Sequence, residues 1–311
     1  MTDDLRGRTL GWIGLGRMGY AIAERLALAG CDLTGFNRTR AKAEPLRAHG
    51  VKLVDSPAGL ADRDIVFTMV STAADLRQVT TGRGGVLADA ARAPKVLVDC
   101  STVSAEDSAD IRAAAAERGT QFLVVPVSGN DQVARAGKLR VFASGPRGAY
   151  DAVAPFLACF GTSVSYIGEA DLARAVKIGH NLFLGIVYQA LAECTVLAEK
   201  QGVPRHVFLE AINNSVLGSA YTRYKSPGIV NLDFTVTFSN VLLLKDLDLG
   251  LEAAARSGAD LPLTRVVRDL AEACIAASGP EADYTTLLLR QARASRLELK
   301  PEKADVSDGL A

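Results

Sequence analysis

Alternation between strand-like and helix-like segments is what most limits the fold of this chain. Through the first half, short β-branched runs are followed by Ala-rich amphipathic stretches. TLGWIGLG, DLTGFN, DIVFTMVS, KVLVDCS and QFLVVPVS each read as a buried strand ending in turn residues. Helical patterns such as AIAERLALAG and AEDSADIRAAAAERG lie between most of them, and both end at a glycine, the usual helix stop. LRVFASG and SVSYIG add two later strands, closing this half near Gly168. Nearly continuous apolar strands joined by helices imply a mostly parallel, doubly wound α/β sheet covered on both faces.

The second half changes character. One helix of about 30 residues is expected from Asp171 to Gln201. Further helical patterns follow in PRHVFLEAINN, FSNVLLLKDLDLGLEAAARSG, LTRVVRDLAEACIAAS and YTTLLLRQARAS, and no convincing strand. The expected organisation is an α/β nucleotide-binding domain over residues 1–168, joined by the long helix to an all-α domain over 169–297. A charged tail over 298–311, punctuated by Pro and Gly, is expected to be frayed.

Composition narrows the function. With 35 basic and 35 acidic residues, the chain has no basic excess for a nucleic-acid backbone or an anionic membrane. Five scattered cysteines without C-x-x-C spacing argue against a disulfide framework or a zinc site, and suit a reducing compartment. Three dispersed histidines make no metal site, so no metal is expected. MTDDLRGRTL does not read as a signal peptide. The longest apolar run, 182–198, is broken by Gln189 and Glu193 and reads as a buried helix rather than a membrane span. A cytoplasmic location is expected.

GWIGLGRMG contains G-x-G-x-x-G at Gly14, Gly16 and Gly19, after an apolar strand and before a helix. In that context Gly14 permits the tight turn, Gly16 lets backbone approach a pyrophosphate, and Gly19 lets helix pack on strand. The helix N-terminus attracts the anion. The second strand ends FNRTRAK, where an NAD site usually carries a carboxylate for the ribose hydroxyls. Asn37, Arg38 and Thr39 stand there instead. A guanidinium beside hydroxyl and amide groups suits a 2′-phosphate, so NADP is expected over NAD. The alternative is that Arg38 is a solvated surface charge.

AVKIGHN opens the long helix. Lys177, His180 and Asn181 fall at i, i+3 and i+4 and share one face. Helix geometry alone leaves a snorkelling lysine and a surface asparagine as an equal alternative. A nucleotide-binding half followed by a helical half usually holds its substrate in the cleft between them, and Lys177 begins the joining helix.

Several motifs in order resemble the β-hydroxyacid dehydrogenases, which include 3-hydroxyisobutyrate dehydrogenase and tartronate semialdehyde reductase. GWIGLGRMG resembles the cofactor loop, DCSTVS the D-x-S-T segment and PVSGNDQVARAGKL the P-V-S-G-G segment. KIGHN resembles K-x-x-N-N, KDLDLGLEAA the K-D-L helix and DYTTLL a late D-x-S-like segment. The resemblance implies a Rossmann-type domain, a long linking helix and an all-α domain, assembled as homodimers or homotetramers. It implies Lys177 as catalytic lysine, with Asn181 holding the substrate and orienting it. Ser128, Gly129 and Asn130 fall on the loop that grips a substrate carboxylate. Gly14, Leu15, Gly16, Arg17, Met18 and Gly19 form the cofactor loop, Val70, Ser71 and Asp75 meet the cofactor after a strand, Thr102 lies near the nicotinamide, and Lys245 contacts the cofactor. From residues alone, Lys245 also reads as a surface ion pair with Asp248 at i+3, of small energy.

The chain departs from the family pattern at Val124, Asn130, Asp171, Ala173, His180 and Val70–Ser71, which cluster around the substrate loop, the lysine helix and its approach. The substrate is therefore expected to differ from those of the best-known members. His180 reads either as a substrate contact or as a packed polar residue. Oxidising an alcohol needs a base for the hydroxyl proton and a hydride acceptor, and an amine that is partly neutral serves as the base. The expected activity is NADP-dependent hydride transfer to or from a short β-hydroxyacid or its semialdehyde. An imine reductase on the same scaffold and a catalytically silent NADP-binding domain are the alternatives.

Overall fold

The computed structural model describes residue 5, residues 7–89 and residues 91–309. They fall into two compact units, the first ending at Lys177 and the second beginning at Ile178.

The first unit alternates as its sequence requires. β1 (Thr9–Ile13), α1 (Arg17–Leu28), β2 (Asp32–Phe36), β3 (Lys52–Leu53), β4 (Ile65–Thr68) and α2 (Ala73–Thr80) lead to β5 (Val96–Asp99), α3 (Ala105–Ala116) and β6 (Gln121–Val124). β7 (Val127–Ser128), α4 (Asp131–Arg135), β8 (Leu139–Ser144), α5 (Arg147–Leu157) and β9 (Gly161–Gly168) follow. The strand order is β3-β2-β1-β4-β5-β6-β8-β7, with β9 on β8. β1 through β6 are parallel, and β8 runs antiparallel to β6 and β7. The strand order reverses direction between β1 and β4, so the loop after β1 opens at the topological switch point where α/β sheets bind nucleotides. β4 and β5 are buried at every position, as strands with helices on both faces must be.

QFLVVPVS differs from the single strand expected of it. β6 ends at Val124 and β7 resumes at Val127, beyond Pro126, and both pair antiparallel with β8 in one register, Val124 with Ser144 and Val127 with Val141. Proline has no N–H to extend a ladder. The two-residue β3 is too short to leave a pattern in sequence.

α6 (Leu172–Lys200) runs out of the first unit and into the second. It is long and apolar enough to cross a membrane. Tyr188, Leu191, Ala192 and Val196 instead belong to the core of the second unit. α7 (Arg205–Asn214), α8 (Ala220–Asn231), α9 (Asn240–Ser257), α10 (Pro262–Ser278) and α11 (Leu287–Ala294) complete that core. α8 has no counterpart among the expected helices, because AYTRYKSPGIVN carries a helix-breaking Pro227 and little apolar periodicity. A reciprocal capping box between Ser219 and Thr222 starts it, and Ile229 and Val230 anchor it.

The tail corrects the expectation of fraying. Leu299, Ala304 and Val306 pack against the second core, and Asn231 donates to the carbonyl of Ala304 at 3.0 Å. Glu302 accepts the backbone N–H groups of Arg205 and His206 at 2.7 and 3.0 Å. α7 has Pro204 as its N-cap and no side-chain cap of its own, so Glu302 supplies from the tail the acceptors that a helix N-terminus lacks.

Candidate active site

The glycine loop divides its labour. Gly14 has φ +93°, and a Cβ there would lie 2.2 Å from the carbonyl oxygen of Met69. A Cβ on Gly19 would lie 2.0 Å from the carbonyl oxygen of Gly14, so these two glycines are required for the fold itself. A Cβ on Gly16 would meet nothing within 4 Å. Gly16 is also the N-cap of α1, with no side-chain cap, so the first amides of the helix face open space at the switch point. That geometry fits a pyrophosphate. Arg17 is exposed and Met18 half-buried on the first turn. Leu15 is buried, and its N–H donates to Asn37 Oδ1 at 2.9 Å. Leu15 and Asn37 thus brace the loop from beneath.

At the end of β2, Arg38 pairs with Asp75 at 2.9 Å, and its side chain is 86% exposed. Thr39 is exposed beside it. Asp75 also accepts the Thr72 hydroxyl at the start of α2. The expected cation is present, already facing a carboxylate. Ser71 is exposed and Val70 half-buried after β4.

The loop after β5 is held from several sides. Asp99 is completely buried, and its Oδ1 accepts the Thr68 hydroxyl at 2.8 Å and the Ser101 N–H at 3.1 Å. Ser101 Oγ accepts the Val70 N–H at 3.0 Å. Val70 and Thr102, both expected to lie at the cofactor, are therefore linked through Ser101. Burial first, and the Asp99 charge second, push the Cys100 thiol well up, so it stays protonated and inert.

The start of α6 belongs to the same unit. Ala173 is fully buried in its core and donates its N–H to Ser144 Oγ at 3.0 Å. Arg174, only 1% exposed, reaches Asp99 at 2.8 Å, Ser108 at 3.0 Å and the Ser101 carbonyl at 3.0 Å. Asp171 pairs with Arg112 at 2.6 Å. The side chains that replace family glycines here are thus engaged in packing and ion pairing. Lys177 follows, half-buried, one turn beyond Arg174.

In the second unit Asn181 is 4% exposed and donates to Asp246 on α9. His180 Nδ1 lies 2.9 Å from Asn181 Oδ1, and Lys245 Nζ lies 3.2 Å from Asp246. Asp248 is engaged by Arg268 at 3.0 Å. Ser128 ends β7, half-buried. Gly129 has φ +127°, and Asn130 caps α4 by accepting the Val133 N–H at 3.0 Å. Capping accounts for asparagine where the family pattern has glycine. Sequence reasoning missed Arg174, Asp99, Ser101 and Asp246. The strand-end Asp in DCST and the Asp of KDL were visible as motif letters, but not as partners.

Residues 9–168 match the family described as the NAD binding domain of 6-phosphogluconate dehydrogenase. Residues 172–290 match the family described as NAD-binding of NADP-dependent 3-hydroxyisobutyrate dehydrogenase. The chain belongs to the β-hydroxyacid dehydrogenase family. An uncharacterised oxidoreductase of Bacillus subtilis is 35% identical over 89% of this chain and 97% of that one. A probable 3-hydroxyisobutyrate dehydrogenase of Mycobacterium tuberculosis is 32% identical over 90% of this chain and 96% of its own. A solved structure of the Mycobacterium tuberculosis 3-hydroxyisobutyrate dehydrogenase with L-serine superposes with a TM-score of 0.79 at 30% identity, covering 91% of this chain and 98% of that one. This β-hydroxyacid dehydrogenase is an NAD(P)-dependent oxidoreductase acting on CH–OH groups.

Proposed function

We propose that the enzyme moves a hydride between NADP(H) and a short β-hydroxyacid or its semialdehyde, with Lys177 as general acid–base. The observation that carries the reading is the anchoring of the first turn of α6. Ala173 and Arg174 fasten it to Ser144, Asp99 and Ser101, at the strand ends where this fold binds a dinucleotide. Lys177 stands on the next turn. A bound nicotinamide supplies the hydride donor or acceptor. The Lys177 amine takes the hydroxyl proton during oxidation and returns it to the forming alkoxide during reduction. The Ser128 hydroxyl and the amides of residues 128–130 hold the carboxylate, and Thr102 sits beside the nicotinamide. Asn181, fixed by Asp246, orients the substrate end of the helix. L-serine, named with the Mycobacterium tuberculosis relative, is itself a β-hydroxyacid, which supports the substrate class.

The NADP preference rests on Arg38 and on the absence of a carboxylate at residues 37–39. A 2′-phosphate would draw Arg38 away from Asp75, an exchange that costs little because so exposed a pair is weak. We also propose a homodimer or homotetramer in the cytoplasm, as implied by the family resemblance and the cysteine usage.

The deciding experiment follows nicotinamide absorbance over a panel of hydroxyacids, semialdehydes and cyclic imines, with wild type and Lys177→Ala. Turnover on the hydroxyacid–semialdehyde pair, lost by about a thousandfold or more in Lys177→Ala while cofactor affinity holds, is the expected result. Unchanged turnover removes Lys177 from the chemistry, and Arg38→Asp should move preference from NADPH toward NADH.

A further inference from the structure

We infer that Arg174 is a positioning residue that fixes Lys177 against the loop carrying Thr102. Its guanidinium serves three segments at once. Nη2 donates to Asp99 Oδ2 at the end of β5 and to Ser108 Oγ on α3, and Nη1 donates to the Ser101 carbonyl. Asp99 in turn holds Thr68 at the end of β4, and Ser101 holds the Val70 amide. The clamp therefore joins α6 to both strand ends that lead into the proposed cofactor loops. Thr102 adjoins Ser101, and Lys177 lies three residues beyond Arg174, about 4.5 Å along the helix axis. A displacement of the clamp would change the spacing between amine and hydroxyl.

Chemistry favours this role over simple packing. A buried ion pair contributes little net stability compared with apolar side chains of the same volume, so stability alone is a poor reason to keep one. A planar fork reaching three acceptors in different segments fixes orientation as an ammonium group does not.

The inference rests on the proposed role of Lys177, and the test separates the two. Arg174→Gln/Asp99→Asn removes both charges together, so neither is left buried alone. The full-length double variant should keep its KM for the carboxylate substrate and lose about ten- to a hundredfold in kcat at saturating NADPH. The isotope effect with C4-deuterated cofactor should rise, because a misplaced proton donor makes chemistry more limiting. Arg174→Lys should recover part of kcat. If the double variant does not fold, Ser108→Ala, which removes one acceptor, should lower kcat severalfold at constant KM. Wild-type kcat in the folded double variant, or in Ser108→Ala where that variant decides, overturns the inference and leaves Lys177 standing. Wild-type turnover in Lys177→Ala overturns both.

Discussion

Arg174 in the first unit and Arg205 in the second are 1% and 0% exposed, and each ties together segments distant in sequence. Arg174 binds a carboxylate and two oxygens around the loop after β5. Arg205 binds both oxygens of Glu199 at 2.9 and 2.7 Å, the Val230 carbonyl at 3.0 Å, and the Lys300 carbonyl of the tail. Each guanidinium donates through both Nη1 and Nη2, which repays part of its desolvation. What differs is what they hold. Arg174 closes on the segment that carries Thr102, which holds the Val70 amide through Ser101, and stands one turn before Lys177. Arg205 closes on the end of α6, the end of α8 and the tail, none of which carries a candidate site residue. The same chemistry serves geometry at one place and fastening at the other, so burial of a charged group does not by itself mark a functional site.

The comparison breaks most visibly at Arg205. Arg205→Ala would leave the Glu199 carboxylate without its partner, and should destabilise the second unit by about 3–5 kcal/mol. Thermal unfolding would read this as a large fall in Tm. The folded fraction should keep the wild-type kcat and KM, measured at a temperature well below the transition. A kcat loss as deep as that expected from Arg174 would erase the distinction.

Asn181 sharpens the comparison, because it is a tie in the second unit that also carries a proposed substrate contact. Its amide donates to Asp246, which is 2% exposed. Asn181→Ala should cost about 1.5–3 kcal/mol, the range for a buried hydrogen bond to a charged group. It should also reduce kcat, unlike Arg205→Ala. Melting curves and steady-state kinetics on one preparation separate the two effects. A stability loss with unaltered kinetics would move Asn181 to the Arg205 side.

These ties also show what a single sequence can and cannot display. The strands around the glycine loop were legible because β-branched runs between Gly-terminated helices have few other folds open to them. Gly14, Gly16 and Gly19 were legible because spacing alone encodes a turn and a helix start. The two-residue β3, the Pro-containing α8 and the anchored tail were not, since each depends on tertiary contacts rather than local periodicity. Arg38 with Asp75, Arg174 with Asp99 and Asn181 with Asp246 lie 37, 75 and 65 residues apart, and no local pattern announces such partners. Lys177 was legible as one face of a helix, but its proposed role came from the motif order of a family.

Glu302 offers the smallest and most specific perturbation of the Arg205 side. Burial raises the pKa of its carboxyl, but hydrogen bonds from His206 and Arg205 outweigh this and hold it below the ordinary glutamate value of 4.5. A folded-state value below the unfolded one stabilises the protein above pH 4.5, and that stabilisation is lost as pH falls through the folded value. Glu302→Gln should therefore cost about 1 kcal/mol at neutral pH, comparable to losing a helix cap. The gap between wild type and variant should narrow as the pH drops below 4.5. Denaturant unfolding at pH 7, 4 and 3, with amide exchange at Arg205 and His206, would follow it. A gap that stays constant across that range would mean that the carboxylate charge is not what fastens the tail to α7.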